Sequence, residues 1–253
     1  MPRYAITIEY IGTNFFGSQW QPQKRTIQDE LIKAISTLTK INTKVILSGR
    51  TDKGVHAKGQ VAHFDCNAEI KDEDLFLYQL NSILPDDISI KNIRKVELRF
   101  HAQKSAKWKW YQYKIVSRKV RSCFDERCFY TRQTLDIERI NKMLSYLIGE
   151  HDFSAFKSSH TSNPAKVCRM YKAECVKSGD EYLFDFVADR FLYNMIRSII
   201  GTVLMIEKDH LSPSKMNEIL ESKDRTKAGQ TAEPNGLVLK KVSYTQEIKL
   251  EAQ

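Results

Sequence analysis

Two hydrophobic periodicities alternate along this chain, and the order in which they alternate limits the fold more than any other feature. Runs with period-two or β-branched and aromatic character fall near residues 3–11, 44–49, 58–65, 88–97, 107–117, 171–178, 181–188 and 236–244, the mark of half-buried strands. Between the first two, residues 26–39 set Ile27, Leu31, Ala34, Ile35 and Leu38 on one helical face, opened by Thr26 and Asp29 in the manner of a capping box. Residues 72–82 predict a shorter helix. Residues 135–148 repeat the theme with Ile137, Ile140, Leu144, Leu147 and Ile148 ahead of Gly149. Residues 190–206 form the most apolar helical stretch, and a further helix starts at Ser212 with Pro213 in its first position and Met216, Ile219 and Leu220 inward. Strand, helix, two strands, helix, strand, followed by the same theme with an extra helix, predicts an α+β protein. Its expected architecture is two ferredoxin-like split-βαβ domains, residues 1–104 and 105–253, packed around a central, mostly antiparallel sheet with a cleft between them. No Ser/Gly/Pro linker separates the halves, so the boundary near Ala102 to Lys107 rests on element order alone.

Composition admits such a protein. The 253 residues are 42% hydrophobic with only 10 Gly and 6 Pro, which excludes collagen-like, low-complexity and disordered classes. The five cysteines are odd in number and show no CxxC spacing, so reduced thiols in a cytoplasm are expected. Glu9 stands where a signal peptide needs its apolar stretch, and that segment reads as a strand. The longest apolar run, Phe191 to Ile206, is interrupted by Asn194, Arg197, Ser198 and Gly201, too short and polar for a membrane span. The histidines, His56, His63, His101, His151, His160 and His210, lack metal-ligand spacing, and no metal site is expected.

The charge is uneven. Forty Lys plus Arg against 31 Asp plus Glu leave +9, and the stretch from Gln103 to Arg121 holds seven cations with no acid: Lys104, Lys107, Lys109, Lys114, Arg118, Lys119 and Arg121. Trp108, Trp110, Tyr111 and Tyr113 are interleaved with them. Cations beside ring faces suit RNA, the first replacing counterions on phosphate and the second stacking on unpaired bases. A basic edge strand whose aromatics pack in a core fits the same composition. As a strand, residues 107–116 place Lys107, Lys109, Tyr111, Tyr113 and Ile115 on one face and Trp108 and Trp110 on the other.

Two further constellations could carry chemistry. In Ser48-Gly-Arg-Thr-Asp-Lys-Gly-Val-His-Ala57, Asp52 can serve as nucleophile or base and Arg50 can reach a phosphate or stack on a base. A plain turn in which Gly54 supplies a positive φ is the competing reading. His56, inside this segment, suits shaping the loop by hydrogen bonding. Arg197 is the sole ionisable side chain between Arg190 and Glu207 apart from Tyr193. It either seeks an anion, such as the carboxylate of Asp52, or snorkels past the helix rim to water.

Gly49-Arg-Thr-Asp-Lys-Gly-Val-His-Ala57 with Gly59-Gln-Val-Ala-His-Phe64 closely resembles the signature of the tRNA pseudouridine synthase A family. Glu9 through Gly17, Asn81 through Asp86, Phe100-His-Ala102, Tyr111-Gln-Tyr113, Gly149 through Phe156, Phe191 through Gly201, Asp224-Arg-Thr226 and Gly236-Leu237 follow in the family's order. The resemblance implies isomerisation of uridine to pseudouridine at positions 38, 39 and 40 of the tRNA anticodon stem-loop, by a cytoplasmic homodimer without cofactor or metal. It also assigns roles: Asp52 as the catalytic aspartate, Arg197 as its basic partner, Tyr111 stacking on the target uracil and Arg50 holding the extruded nucleotide; the basic block, read on its own charge, offers Lys104, Lys107 and Lys109 to RNA. Two departures stand out: Gln103 replaces the arginine of the family's Phe-His-Ala-Arg, and Gly17-Ser-Gln-Trp-Gln21 replaces its Gly-Trp-Gln run. A non-catalytic tRNA-binding or RNA-folding protein is the alternative from a different class. An aspartate-dependent hydrolase is a third reading, disfavoured because no second carboxylate or metal site accompanies Asp52.

Overall fold

A computed structural model describes residues 1–124, 127–158 and 166–248; His160 lies outside them. The chain forms two compact units, one of Met1–Lys107 with Val238–Gln253 and one of Trp108–Leu237. The segment from Val238 onward, grouped with the second half by element order, therefore belongs to the first unit. Among the described residues no helix is long and apolar enough to cross a membrane.

The first unit carries β1 (Arg3–Tyr10), α1 (Ile27–Thr39), β2 (Val45–Leu47), β3 (His56–Asp65), α2 (Glu73–Ile83) and β4 (Ile88–Val96). β1 runs antiparallel between β3 and β4, and β2 lies antiparallel on the outer edge of β3. This is the 4-1-3-2 order of a split-βαβ domain. β1 alternates burial without a break, with Tyr4, Ile6, Ile8 and Tyr10 inward. Thr26 caps α1 by accepting from Asp29 N–H, and Ile27, Leu31, Ala34 and Ile35 are buried beneath it. The start of β3 is treated differently from its end. His56 and Ala57 pair in parallel with Val238 and Leu239 of the last strand, β10 (Leu237–Ser243). The β1–β3 register slips between Ile8 and Tyr10, so that Lys58 and Gly59 together oppose Glu9. Gly59 is needed in that bulge because a Cβ there would lie 2.4 Å from the Lys240 carbonyl oxygen.

In the second unit β5 (Trp108–Ser117) runs antiparallel to β9 (Glu181–Ala188), then come β8 (Val167–Ser178) and β7 (Gly149–Asp152). A short β6 (Phe129–Thr131) pairs in parallel with the end of β5. The helices are α3 (Ile137–Ser145), α4 (Met195–Lys208) and α5 (Lys215–Ser222). Strands β5, β9 and β8 with α3 and α4 repeat the split-βαβ arrangement, and the whole protein is of mixed α/β class with predominantly antiparallel pairing. Asn141 of α3 ties to β8 at two points, donating to the Cys175 carbonyl at 2.9 Å and accepting from its N–H at 2.8 Å.

Three local differences from the periodicity reading have clear causes. β6 and β7 have three and four residues, too few to show alternation. α4 starts at Met195, not at residue 190, because Asn194 sits in the left-handed region at φ 60° and no helix passes through it. α5 begins at Lys215, with Pro213 in the turn before it.

Candidate active site

Asp52 stands at the first position of a four-residue turn closed by Val55 N–H donating to the Asp52 carbonyl at 3.1 Å. Gly54 takes φ +83° at its third position, the conformation that a type II turn requires. The turn is pinned on both sides. Ahead of Asp52, Thr51 N–H donates to Ser18 Oγ at 2.8 Å, Ser18 N–H donates to the Thr51 carbonyl at 3.0 Å, and the Thr51 and Tyr10 hydroxyls bond at 2.7 Å. Behind it, the backbone at Val55 closes against Gly12, where a Cβ would lie 1.9 Å from the Val55 oxygen. His56 Nδ1 accepts from Gly12 N–H at 3.0 Å, which is the loop-shaping duty expected of it. Gln60 completes the clamp from β3: its amide donates to the Gly49 carbonyl at 2.8 Å and accepts from Gly49 N–H at 3.3 Å. Tyr10, Ser18, Thr51, His56 and Gln60 are all buried. Burial pushes the Tyr10 phenol up to about 12, so it stays a neutral hydrogen-bonding group at working pH.

Asp52 is half-buried on this loop, while Arg50 two residues earlier is exposed. The turn predicted by the plain reading is present. It is also far more heavily supported than a surface turn needs, and support of this kind is what a pre-organised catalytic group requires.

In the second unit, Tyr111 lies on β5 opposite Phe186 and is 6% exposed, with its ring packed edge-to-face on Phe191 at 5.1 Å. Arg197 occupies the first turn of α4, where the helix dipole opposes a positive charge. Compensation comes from acceptors: Nε donates to the Ala232 carbonyl at 2.7 Å and Nη1 to Asn194 Oδ1 at 3.0 Å. Ala232 N–H returns a bond to the Arg197 carbonyl at 3.0 Å. The acceptor segment reaches α4 because Gly201 has no side chain; a Cβ there would sit 1.7 Å from the Gln230 oxygen. Arg197 is thus held in place, and the snorkelling reading does not describe it. The stretch 191–194 serves both residues, Phe191 against Tyr111 and Asn194 against Arg197.

The basic block is divided by the fold. Lys104 and Lys107 are exposed and belong to the first unit, whereas Lys109, second residue of β5, belongs to the second. Lys114 is ion-paired with Glu181, and Arg118 lies nine residues beyond Lys109, about 30 Å along an extended strand. Burial, with the nearby Arg190 charge, pushes the Lys109 ammonium down to about 8. The aromatics of the block are core residues: Trp108, Trp110 and Tyr113 are buried, with the Trp110 indole donating to Asp185 Oδ1 at 2.7 Å and the Tyr113 hydroxyl to the Glu233 carbonyl at 2.8 Å. The competing reading of packed aromatics therefore describes these three, and Tyr111 is buried with them. A strand with both faces covered explains why alternation alone did not separate stacking rings from packing ones.

Asp52 and Arg50 belong to the first unit and Lys109, Tyr111 and Arg197 to the second. The supports Tyr10, Ser18, Gln60 and Gly12 act on residues 11 to 44 positions away, so that although Tyr10, Gly12 and Gln60 lie in segments that follow the family's order, nothing local to them shows this duty.

Comparison with known proteins adds identity to this geometry. The sequence model described as tRNA pseudouridine synthase matches residues 6–103 and 143–245, segments that contain Asp52 and Arg197 but not Tyr111. Proteins named tRNA pseudouridine synthase A from Thermoanaerobacter sp. (strain X514) and Anoxybacillus flavithermus are 43% and 42% identical over 245 residues, 96% of this chain and 100% and 99% of theirs. One from Methylococcus capsulatus is 38% identical over 249 residues, 98% of this chain and 92% of its own. At this identity over nearly the full length of both partners, the chain belongs to the tRNA pseudouridine synthase family.

Proposed function

We propose that this protein is an isomerase that converts uridine to pseudouridine in tRNA, with Asp52 as its catalytic group. The observation that carries the assignment is the buried clamp that fixes the Asp52 turn from Thr51, Gly49 and Val55. Asp52 attacks the ribose C1′ or removes a ribose proton, and the N1–C1′ bond breaks; on the first route the Asp52–C1′ bond breaks again as C5 bonds to C1′, and on the second the proton returns from Asp52 to the ribose. The uracil rotates, C5 bonds to C1′, the C5 proton leaves to solvent and N1 gains one, so the net change is an isomerisation. Arg197, rigid on α4, pairs with the Asp52 carboxylate and keeps it ionised. Tyr111 stacks on the uracil, and Arg50 retains the nucleotide outside its stack, which offsets an unstacking cost of a few kcal/mol.

The substrate sites are positions 38, 39 and 40 of the anticodon stem-loop, and the working form is a homodimer in the cytoplasm. Lys104, Lys107 and Lys109 contact the RNA backbone. An RNA phosphate beside Lys109 restores the ammonium that burial disfavours, so binding is tighter at pH 7 than above pH 8. Asp52→Asn is expected to abolish tritium release from 5-tritiated uridine in tRNA while leaving tRNA affinity within about two-fold. Full turnover by this variant overturns the assignment, and bound tRNA left unmodified by the wild-type protein favours an RNA-binding role instead.

A further inference from the structure

The segment joining β1 to α1 holds cations and rings that the reaction at Asp52 does not use. Between Glu9 and Asp29 there is no acidic residue. Residues 16–25 close into a loop through Phe16 N–H donating to the Arg25 carbonyl at 2.9 Å, and they hold themselves together internally. Gln21 donates to the Phe16 carbonyl at 2.7 Å, Lys24 N–H to the Gln21 carbonyl at 3.3 Å, and Trp20 N–H to Gln28 Oε1 at 2.7 Å. Compact loops with joined ends of this kind frequently carry function.

The loop's side chains divide sharply. Arg25 is committed to structure: its guanidinium is bidentate to Asp87 at 2.8 Å, reaches Glu30 at 3.0 Å and lies over the buried Phe15 ring. Lys24 and Lys53 are exposed, and among the described residues no ion pair engages either. Both ammonium groups rest on one ring, Phe16, at 4.6 and 4.5 Å from its centroid. Phe16 is 38% exposed and Trp20 52% exposed. A ring that gathers two cations at the surface brings like charges together, an arrangement relieved by an anion.

The loop is also attached to the site. Gly17, at φ +93°, packs so closely on Thr51 that a Cβ would lie 2.8 Å from its oxygen, and Ser18 makes two hydrogen bonds with Thr51. Lys53 directly follows Asp52. A ligand held by this loop therefore lies beside whatever Asp52 acts on.

We propose that the loop from Phe16 to Arg25, with Lys53, is a second RNA contact in which Lys24 and Lys53, aligned by Phe16, hold backbone phosphates next to the target nucleotide and Trp20 stacks on an unpaired base. The inference rests on the reading of the Asp52 site as an RNA-modifying one. Among the departures from the family pattern, the run Gly17-Ser-Gln-Trp-Gln21 thereby acquires a role: it sets Ser18 on Thr51 and leaves Trp20 outward.

The test is tRNA binding by the full-length protein across a salt series. Lys24→Ala/Lys53→Ala is expected to weaken binding and to flatten the slope of log affinity against log salt by about 1.5, two phosphates at roughly 0.7–0.9 each. Trp20→Ala is expected to lower affinity at least five-fold without changing the slope. Lys91→Ala, on β4, serves as the control for loss of one surface charge. A double variant whose slope and affinity match the wild type overturns the proposal, as does a Lys91→Ala effect of equal size. Tritium release by the wild type, abolished in Asp52→Asn, checks the underlying reading separately. Release with an unchanged slope overturns the loop contact alone, whereas absence of release from any tRNA overturns the reading on which it rests.

Discussion

The Asp52 turn and Arg197 are both supported by close backbone approach at a glycine, and different atoms carry the rest of that support. In the Asp52 turn, Thr51 and Val55 on either side make backbone bonds, and the supporting hydroxyls and amide of Tyr10, Ser18 and Gln60 are buried. Arg197 is held through its own guanidinium, on the Ala232 carbonyl and Asn194 Oδ1. The difference suits the charges. An arginine offers five donors in a fixed fork and can spend two on positioning. The catalytic role proposed for Asp52 calls for a turn whose backbone is fixed. If this is the logic of the site, damage to the backbone approach should harm both regions equally, whereas side-chain changes should separate them.

The largest effect is expected at the glycines. In Gly12→Ala the new methyl meets the Val55 oxygen, and in Gly201→Ala it meets the Gln230 oxygen, at 1.9 and 1.7 Å before any shift. Backbone atoms cannot step aside as the end of a flexible side chain can, so each variant should lose about 3 kcal/mol in urea unfolding and nearly all turnover. Tolerance of either one breaks the symmetry between the two regions.

Next comes a pH effect confined to the first unit. His63 on β3 is buried, its Nδ1 accepts from Ala102 N–H at 3.1 Å, and His101 lies 5.0 Å away ring to ring. Burial, then the charges of Arg3 and His101, pushes its imidazole down to about 4 from 6.5. The folded protein keeps this ring neutral while the unfolded chain protonates it below 6.5. Its contribution is therefore intact above pH 6.5 and declines as pH falls toward 4, by up to about 3 kcal/mol. The C2 proton of His63 should show no titration shift in NMR above pH 5; a midpoint near 6.5 contradicts the burial argument. Because Ala102 leads into the turn bearing Lys104, tRNA affinity should decline over the same acid range.

Side-chain replacement at Arg197 is the third test. Lysine retains the charge, but its donors sit on a single nitrogen and do not reproduce the fixed spacing of Nε and Nη1 that serves the Ala232 carbonyl and Asn194. Arg197→Lys should cut turnover about 100-fold, near 2.7 kcal/mol of barrier, with unfolding free energy within about 1 kcal/mol of wild type. Unchanged turnover means that charge alone suffices and that the two-point hold is incidental.

How much of this was legible beforehand follows from the range of each interaction. The α1 cap at Thr26, the apolar faces of the helices and the unbroken alternation of β1 are local patterns, and the sequence displays them directly. The string around Asp52 is likewise local and specific. Arg197 stood out as an isolated charge, but its place in the first turn of α4 depends on one left-handed residue, Asn194, that hydrophobic periodicity does not register. The basic aromatic block misled in a physical way. Summed along the chain it is one patch; in the fold it is split between units, paired at Lys114 and buried at both tryptophans. The Phe16 loop shows the reverse, since Lys24 and Lys53 are 29 positions apart and only folding brings both onto one ring.

The mildest test separates the two ways of holding a site. Tyr10→Phe removes one hydroxyl that bonds Thr51 Oγ1 at 2.7 Å and lies 3.5 Å from the Gln60 amide. It leaves every atom of Asp52 and both of its backbone anchors, Ser18 and Val55, in place. The buried Thr51 hydroxyl loses a partner without gaining water, which costs about 1–2 kcal/mol in unfolding free energy. Turnover should fall only three- to ten-fold, because Thr51 keeps its two bonds to Ser18. Adding Ser18→Ala removes the acceptor for Thr51 N–H, so the double variant should lose more activity than the product of the single losses. A merely multiplicative loss indicates that Tyr10 and Ser18 support the fold independently and do not act as one clamp on the Asp52 turn.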